Sequence, residues 1–384
     1  MGSIKKKIEA IMISREKTCF FSLGSLLFGF SIFYGGVVKL RELLYRKGIL
    51  RSRKTPCFVV SIGNLTVGGT GKTPMTIHFA KLVQRYGYKT VVISRGYKGK
   101  AEKTGGIVSD GRIIQMDSSI AGDEPFMMAT GLKNIPVIVG QNRYKAAMLA
   151  VKKYEPDILV FDDAFQHLKL ERDLDILLLD HSLPFGNNYL FPRGTLREPV
   201  SALKRADLFV LTRSSSKKSP FLTKQGRCVR GRPVFTSFHM PVIYKVVVGK
   251  DTTFLDNSKK EPTYDLQFLK GLKVFVFSGL ARNDDFHNTV ENLKCAVKGF
   301  LSYPDHHYYS DDDISRILQS AKNADVEALI TTEKDFSRIA HRITWPIDLI
   351  VIGIEISLGD ESDAFNSFIK ARLKKINRKT SIYP

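Results

Sequence analysis

Apolar and polar positions along the chain fall into blocks whose lengths separate helix from strand. From Cys19 to Val38 it reads CFFSLGSLLFGFSIFYGGVV, twenty residues without a charge. At about 1.5 Å rise per residue, such a segment just crosses a hydrocarbon core of ~30 Å. Four glycines and three serines dilute its apolarity, so the pattern predicts a membrane-associated helix that either spans a bilayer or dips into one leaflet. The competing reading is a pair of buried core helices. No small-residue cleavage site follows, which argues against a removable signal peptide. The chain continues instead with Lys39, Arg41, Arg46, Lys47, Arg51, Arg53 and Lys54, charges that the positive-inside bias keeps at the cytoplasmic surface against anionic headgroups.

Beyond this segment the pattern changes to short apolar, β-branched runs. Cys57 to Gly63 reads as a buried strand, and the stretch from Pro74 to Arg85 has helical periodicity. Further strands are predicted at 90–94, 136–140, 157–161, 174–180 and 207–211, with helix-length stretches between them. That alternation implies an α/β fold, a P-loop NTPase-like doubly wound parallel sheet in which ligands gather at the carboxyl ends of the strands. Residues 232–249 are β-rich, and the polar stretch 251–265 marks a domain boundary. Strands at 273–278 and 349–353 then predict a second, smaller α/β domain. The expected division is 1–50 for the membrane-associated helix and its basic flank, 51–232 for the P-loop domain, 233–270 for a β-rich linker and 271–384 for the smaller domain.

Composition adds two constraints. The chain has 384 residues, 43% of them apolar, enough for two cores. Its formal net charge of +21 calls for a polyanionic neighbour, whether nucleic acid, anionic lipid or a phosphorylated substrate. No recognised nucleic-acid motif interleaves the basic residues with aromatics, so nucleic acid is not expected. Cys19, Cys57, Cys228 and Cys295 lie too far apart for a zinc site or redox motif and read as reduced thiols. Nothing in the sequence implies an oligomer.

The chemistry concentrates in a few segments. Between the first strand and its helix lie Thr66, Val67, Gly68, Gly69, Thr70, Gly71, Lys72 and Thr73. Strand, glycine-rich turn and helix form the context of a triphosphate loop: backbone N–H groups face the phosphates, Lys72 brings positive charge and Thr73 offers a hydroxyl to Mg²⁺. Thr66 stands where the strict pattern has glycine. The strand 157–161 runs into Asp162 and Asp163, the place of a carboxylate that orders Mg²⁺; adjacent side chains point to opposite faces, so one of the pair is expected to meet the metal. Asp123 and Glu124 sit in a turn before a Met-rich helix, where they could equally be capping residues. The loop Tyr303-Pro304-Asp305-His306-His307-Tyr308 and the run Thr331-Thr332-Glu333-Lys334-Asp335 are dense in titratable groups but unspecific alone.

Taken in order, TVGGTGKTP, SRGY at 94–97, GDEP at 122–125, DDAFQH at 162–167, LREP at 196–199, DHH at 305–307 and TEKD at 332–335 resemble one family across roughly residues 20–370. That family is tetraacyldisaccharide 4′-kinase, LpxK, of lipid A biosynthesis. One position departs: Ala164 stands where the family usually has glycine. The resemblance implies ATP and Mg²⁺ as cofactors and an acylated glucosamine disaccharide 1-phosphate as phosphoryl acceptor at its 4′-hydroxyl. It also implies attachment to the cytoplasmic face of the inner membrane. Carried over, Lys72 and Thr73 serve the phosphates and Mg²⁺. Asp123 is the base with His306 its partner, and Asp162 and Asp163, with Glu124 and Glu198, order the metal. Arg143 and Arg197 are candidates for gripping the 1-phosphate. With Asp123 and His306 in different domains, the pair would form only on closure. A rival from another class is a membrane-tethered P-loop ATPase switch of the partitioning or metal-chaperone kind; those loops usually carry Lys before the paired glycines, where this chain has Val67.

Overall fold

The computed structural model describes residues 2–14, 22–214, 231–250, 265–339, 345–374 and 376. Cys19 and Cys228 and most of the polar stretch 251–265 lie outside these. Two helices open the chain, α1 (Gly2–Ile13) and α2 (Leu23–Arg46). The predicted apolar helix is therefore α2, extended past Val38 into the basic flank.

The first sheet has eight strands in the order β3-β4-β2-β5-β1-β6-β7-β8. At its centre is β1 (Phe58–Asn64), every residue of which is buried. Its parallel neighbours are β5 (Ile158–Asp162) and β6 (Leu174–Asp180), also buried throughout. Full burial on both faces explains why these strands read as continuous apolar runs, without alternation. The remaining strands are β2 (Thr90–Ser94), β3 (Gly106–Ser109), β4 (Val137–Val139), β7 (Leu208–Thr212) and β8 (Val234–Thr236). All neighbours are parallel except β3, which lies antiparallel on β4 at the edge. Helix α3 (Lys72–Arg85) packs Met75, Phe79, Leu82 and Val83 into the core beneath the sheet.

In place of a separate linker over 233–270, the chain uses these residues in both sheets. β8 completes the first sheet, and after Ser237 the chain enters β9 (Phe238–Val247), an edge strand of the second sheet. That sheet has the order β11-β10-β12-β13-β9, with β10 (Lys273–Ser278), β11 (Ala296–Ser302), β12 (Ala328–Thr332) and β13 (Asp348–Ser357). Only β9 runs antiparallel, against β13. The chain then returns: Ile356, Leu358 and the C-terminal helix residues Phe365, Ile369 and Leu373 join the same core as Phe79 and Phe235. The second domain is thus an insertion between β8 and the final helix, closing before the chain's end.

α2 is fastened along one narrow side. Gly24, Leu27, Ser31 and Gly35 recur at helical spacing and are buried. Ser31 donates to the Leu190 carbonyl at 2.8 Å and accepts from the Arg193 N–H at 2.9 Å. Farther along, Tyr34 donates to the Arg197 carbonyl at 2.8 Å and Arg41 to that of Gln166 at 2.7 Å. The opposite faces present Leu26, Phe30, Ile32 and Phe33, each more than half exposed.

Candidate functional site

The site lies at the carboxyl ends of β1, β5 and β2, where a doubly wound sheet gathers ligands. β1 ends in Asn64, whose side-chain amide donates to the Thr66 carbonyl at 2.8 Å while its oxygen accepts from Lys72 Nζ at 3.3 Å. This cross-link folds the loop back over its own lysine. Val67 donates to the Thr195 carbonyl at 2.7 Å, pinning the loop to the LREP segment. Gly68 and Gly71 take φ of 117° and 78°, backbone angles that side chains disfavour. At Gly71 space is also short: a Cβ would lie 2.7 Å from Nε2 of His239 on β9. Thr70 Oγ1 is buried without a hydrogen-bond partner among the described residues. Arg213, at the end of β7, was not foreseen; it donates to the Gly69 carbonyl at 2.7 Å and to Asp180 at 3.1 Å.

Asp162 closes β5 and is 1% exposed. It accepts only long hydrogen bonds, from Thr76 at 3.3 Å and Ser94 at 3.4 Å. Burial, together with the charges of Glu124 and Asp163, pushes its carboxyl up to about 7 against Lys72 and Arg143. Asp163 behaves differently. Burial would raise it too, but Lys72 at 3.9 Å and Arg197, donating at 2.8 and 3.0 Å, hold it below the usual carboxylate range. The two carboxylates have different hydrogen-bond partners, and the left-handed angle in this turn falls on Asp163, at φ 51°. Ala164 is not among the residues of positive φ. It needs no glycine, so the departure from the family pattern leaves the turn intact.

Asp123 opens helix α5 (Asp123–Gly131). It is set by Gly122 (φ 90°), where a Cβ would strike the Tyr97 carbonyl at 2.9 Å, so SRGY and GDEP pack backbone against backbone. Asp123 Oδ2 lies 2.8 Å from Nδ1 of His306, which the second domain supplies from the loop after β11. The same oxygen accepts from Nε of Arg338 at 3.0 Å and from its Nη2. Burial favours the neutral acid, but the hydrogen bonds of His306 and Arg338 outweigh it and hold Asp123 at about 2. Around His306, Tyr97 packs edge-on at 6.2 Å and Lys334 Nζ lies 3.4 Å from Nε2 while pairing with Asp305 at 2.7 Å. Lys334 and Arg338 come from the helix Glu333–Ile339, which follows β12. The TEKD run pointed to that helix. Arg338 itself carried no signal: one arginine in an amphipathic helix is indistinguishable from a surface residue until its partner is known.

Two of the candidate site residues, Arg143 and Glu198, are deeply buried and partnered within the fold. Arg143 is 4% exposed and donates to the carbonyls of Gly140 at 2.9 Å and Asp162 at 3.3 Å, so its guanidinium braces the β4 and β5 ends from within. Glu198, 3% exposed, pairs with Arg205, which also meets Glu42 of α2 at 3.5 Å. That makes Glu198 an anchor for α2, occupied by its own cation. Arg197 is engaged with Asp163, and His167 is pushed down to about 4 by burial and by Arg143 and Arg41.

A carboxylate raised by burial and by its acidic neighbours, a lysine at a glycine loop and a helix N-terminus define a P-loop phosphate-transfer enzyme. Residues 23–374 match the family described as tetraacyldisaccharide-1-P 4′-kinase, LpxK. A tetraacyldisaccharide 4′-kinase of Desulfatibacillum aliphaticivorans is 40% identical over 97% of this chain and 99% of its own length. One of Halothermothrix orenii is 40% identical over 93% and 96%. Among solved structures, LpxK of Aquifex aeolicus in complex with ATP superposes with a TM-score of 0.71 at 32% identity, covering 92% of this chain and all of that one. The chain belongs to the tetraacyldisaccharide 4′-kinase family. Family membership sets aside the P-loop switch as a rival reading.

Proposed function

We propose that this chain transfers the γ-phosphoryl group of ATP to the 4′-hydroxyl of a tetraacylated glucosamine disaccharide 1-phosphate, at the cytoplasmic face of an inner membrane. The observation that carries this reading is the 2.8 Å contact of Asp123 with His306, one residue from Glu124, whose charge bears on Asp162. Base and cation-seeking carboxylates thus adjoin across one turn.

The residues present fit a magnesium ion. Asp162 is a buried carboxylate beside Glu124 and Asp163 with long hydrogen bonds from Thr76 and Ser94, a set of oxygen donors that a hard divalent cation would suit. Asp162, Glu124 and the Thr73 hydroxyl would hold the ion; Asp163, already paired with Arg197, orients Lys72. When bound, Mg²⁺ neutralises phosphate charge. Backbone N–H groups of residues 68–73 cradle the triphosphate and Lys72 stabilises charge on the transferred group. Asp123 accepts the hydroxyl proton as the sugar oxygen forms its bond to phosphorus. His306 hydrogen-bonds Oδ2 and keeps the carboxylate oriented, a contribution on the order of 10²-fold. Most of the acceleration is positioning and charge stabilisation.

α2 supports the membrane assignment. Its contacts with the body run from Gly24 to Glu42, along nearly the whole of its 24 residues. A helix fastened along its length cannot stand alone across a bilayer; it lies at the surface, with Leu26, Phe30, Ile32 and Phe33 in the acyl region. Lys39, Arg46 and Lys47 are then the charges placed to meet anionic headgroups.

The test is incubation of detergent-purified protein with γ-labelled ATP, Mg²⁺ and the lipid disaccharide 1-phosphate, beside Lys72→Ala and Asp123→Ala. Labelled lipid should form with the parent protein only. Absence of labelled lipid with the parent refutes the reaction; full activity of Asp123→Ala removes the base assignment alone.

A further inference from the structure

Every described contact of the Asp123 carboxylate falls on one of its two oxygens. His306 Nδ1 and Arg338 Nε lie 2.8 and 3.0 Å from Oδ2, and Arg338 Nη2 reaches the same atom. Oδ1 takes none of them. Arg338 is itself fixed: its side chain is 9% exposed, and Nη1 donates to Asp335 Oδ1 at 3.1 Å. Asp335 is wholly buried, and its other oxygen accepts from Thr332 Oγ1 at 2.6 Å and from the Gly279 N–H at 3.0 Å. The guanidinium is therefore clamped between a carboxylate of each domain. A flat fork held at both ends has one orientation, and it imposes that orientation on Asp123.

We infer that Arg338 is a positioning residue that, with His306, occupies Oδ2 of Asp123 and so presents Oδ1 as the oxygen that receives the sugar hydroxyl proton. The inference rests on the reading of Asp123 as the base. In the step it serves, the proton passes from the hydroxyl to Oδ1 and the freed electron pair forms the new O–P bond. The bond from phosphorus to the β,γ-bridging oxygen breaks, and ADP leaves with that electron pair. Other charged groups near the pair are Lys334 and Asp305 beside His306, Asp335 behind Arg338 and Glu124 next along α5. None of these is recorded on Oδ1. The arrangement also explains the TEKD run: Thr332 and Asp335 hold the arginine, and Lys334 braces the loop of His306.

The experiment compares kcat and KM of the parent, Arg338→Met, Asp123→Asn and the double variant by lipid phosphorylation, with Arg338→Lys as the variant that keeps charge but loses the fork. If Arg338 acts through Asp123, Arg338→Met lowers kcat on the order of 10²-fold with KM for ATP within about threefold. Arg338→Lys should recover about tenfold of that loss, and the double variant should be no slower than Asp123→Asn. Losses that multiply in the double variant, or a raised KM at unchanged kcat, overturn the role of Arg338 while leaving Asp123 as base. A fully active Asp123→Asn removes the base reading and this inference with it. If Arg338→Met does not fold, Arg338→Lys combined with Asp123→Asn gives the same comparison.

Discussion

His306 and Asp123 meet at 2.8 Å although the first stands in a loop of the second domain and the second at the first residue of α5 in the other. Replacing His306 by Asn leaves Asp123 oriented by Arg338 alone and removes the ring that holds Oδ2. We expect kcat to fall on the order of 10²-fold with KM for ATP nearly unchanged. Steady-state kinetics at saturating lipid decide this, and an equal rise in KM would assign His306 to substrate binding.

The outer faces of α2 and its fastened side should separate by mutation. Phe30→Glu with Phe33→Glu alters residues that are 55% and 72% exposed, so thermal stability should hold while co-sedimentation with anionic vesicles drops about tenfold or more. Ser31→Val has the opposite profile. It removes the donor to Leu190 and the acceptor for Arg193, costing about 1–3 kcal/mol of stability in denaturant titration. Equal vesicle binding by the double-Glu variant would show that α2 is not the lipid-facing element.

Gly63 lies near the end of β1, where a Cβ would stand 2.6 Å from that of Phe165 and 3.1 Å from its backbone nitrogen. Neither atom belongs to the far end of a flexible chain. Gly63→Ala should therefore destabilise by about 1–3 kcal/mol through overpacking and displace the Asp162–Asp163 turn. Unfolding free energy together with kcat reads both effects; a variant with parental values in each contradicts the close packing described.

Two histidines should give stability a dependence on pH. His167 and His239 are each lowered to about 4, first by burial and then by neighbouring arginines. Their folded-state pKa lies below the unfolded value near 6.5, so the unfolded chain binds more protons between pH 4 and 6.5. Stability should fall as pH drops through that window and level off below it. Thermal melts of the parent and of His239→Gln should show a shallower acid slope in the variant; identical slopes would mean that His239 does not titrate as described.

Much of this molecule can be read from the chain itself, for physical reasons. Strands β1, β5, β6 and β10 are buried on both faces over most of their length and so appear as predominantly apolar runs, each within a residue of its expected bounds. The glycine loop and the acids at the end of β5 follow from their position at strand ends. Less legible were features that depend on which segments meet. β3 and β9 run antiparallel because of where their neighbours lie, not because of their own composition. Arg143 and Glu198 carry charges that suggest ligand binding, yet their partners are carbonyls and Arg205 within the fold. Arg338 gains its meaning from Asp123, 215 residues earlier.

β9, the strand by which the chain enters the second domain, carries His239 against Gly71 of the nucleotide loop, whereas His306 follows β11 at the opposite edge of that sheet. Four strand spacings of about 4.8 Å separate those edges, a lever of about 19 Å. Rotating the second sheet about its β9 edge by about 10° would carry the β11 side some 3 Å, enough to part His306 from Asp123, while Gly71 hardly moves. The nucleotide loop and the proton-handling pair thus take their second-domain contacts from opposite edges of one sheet, so both halves of the site depend on how that single sheet is seated.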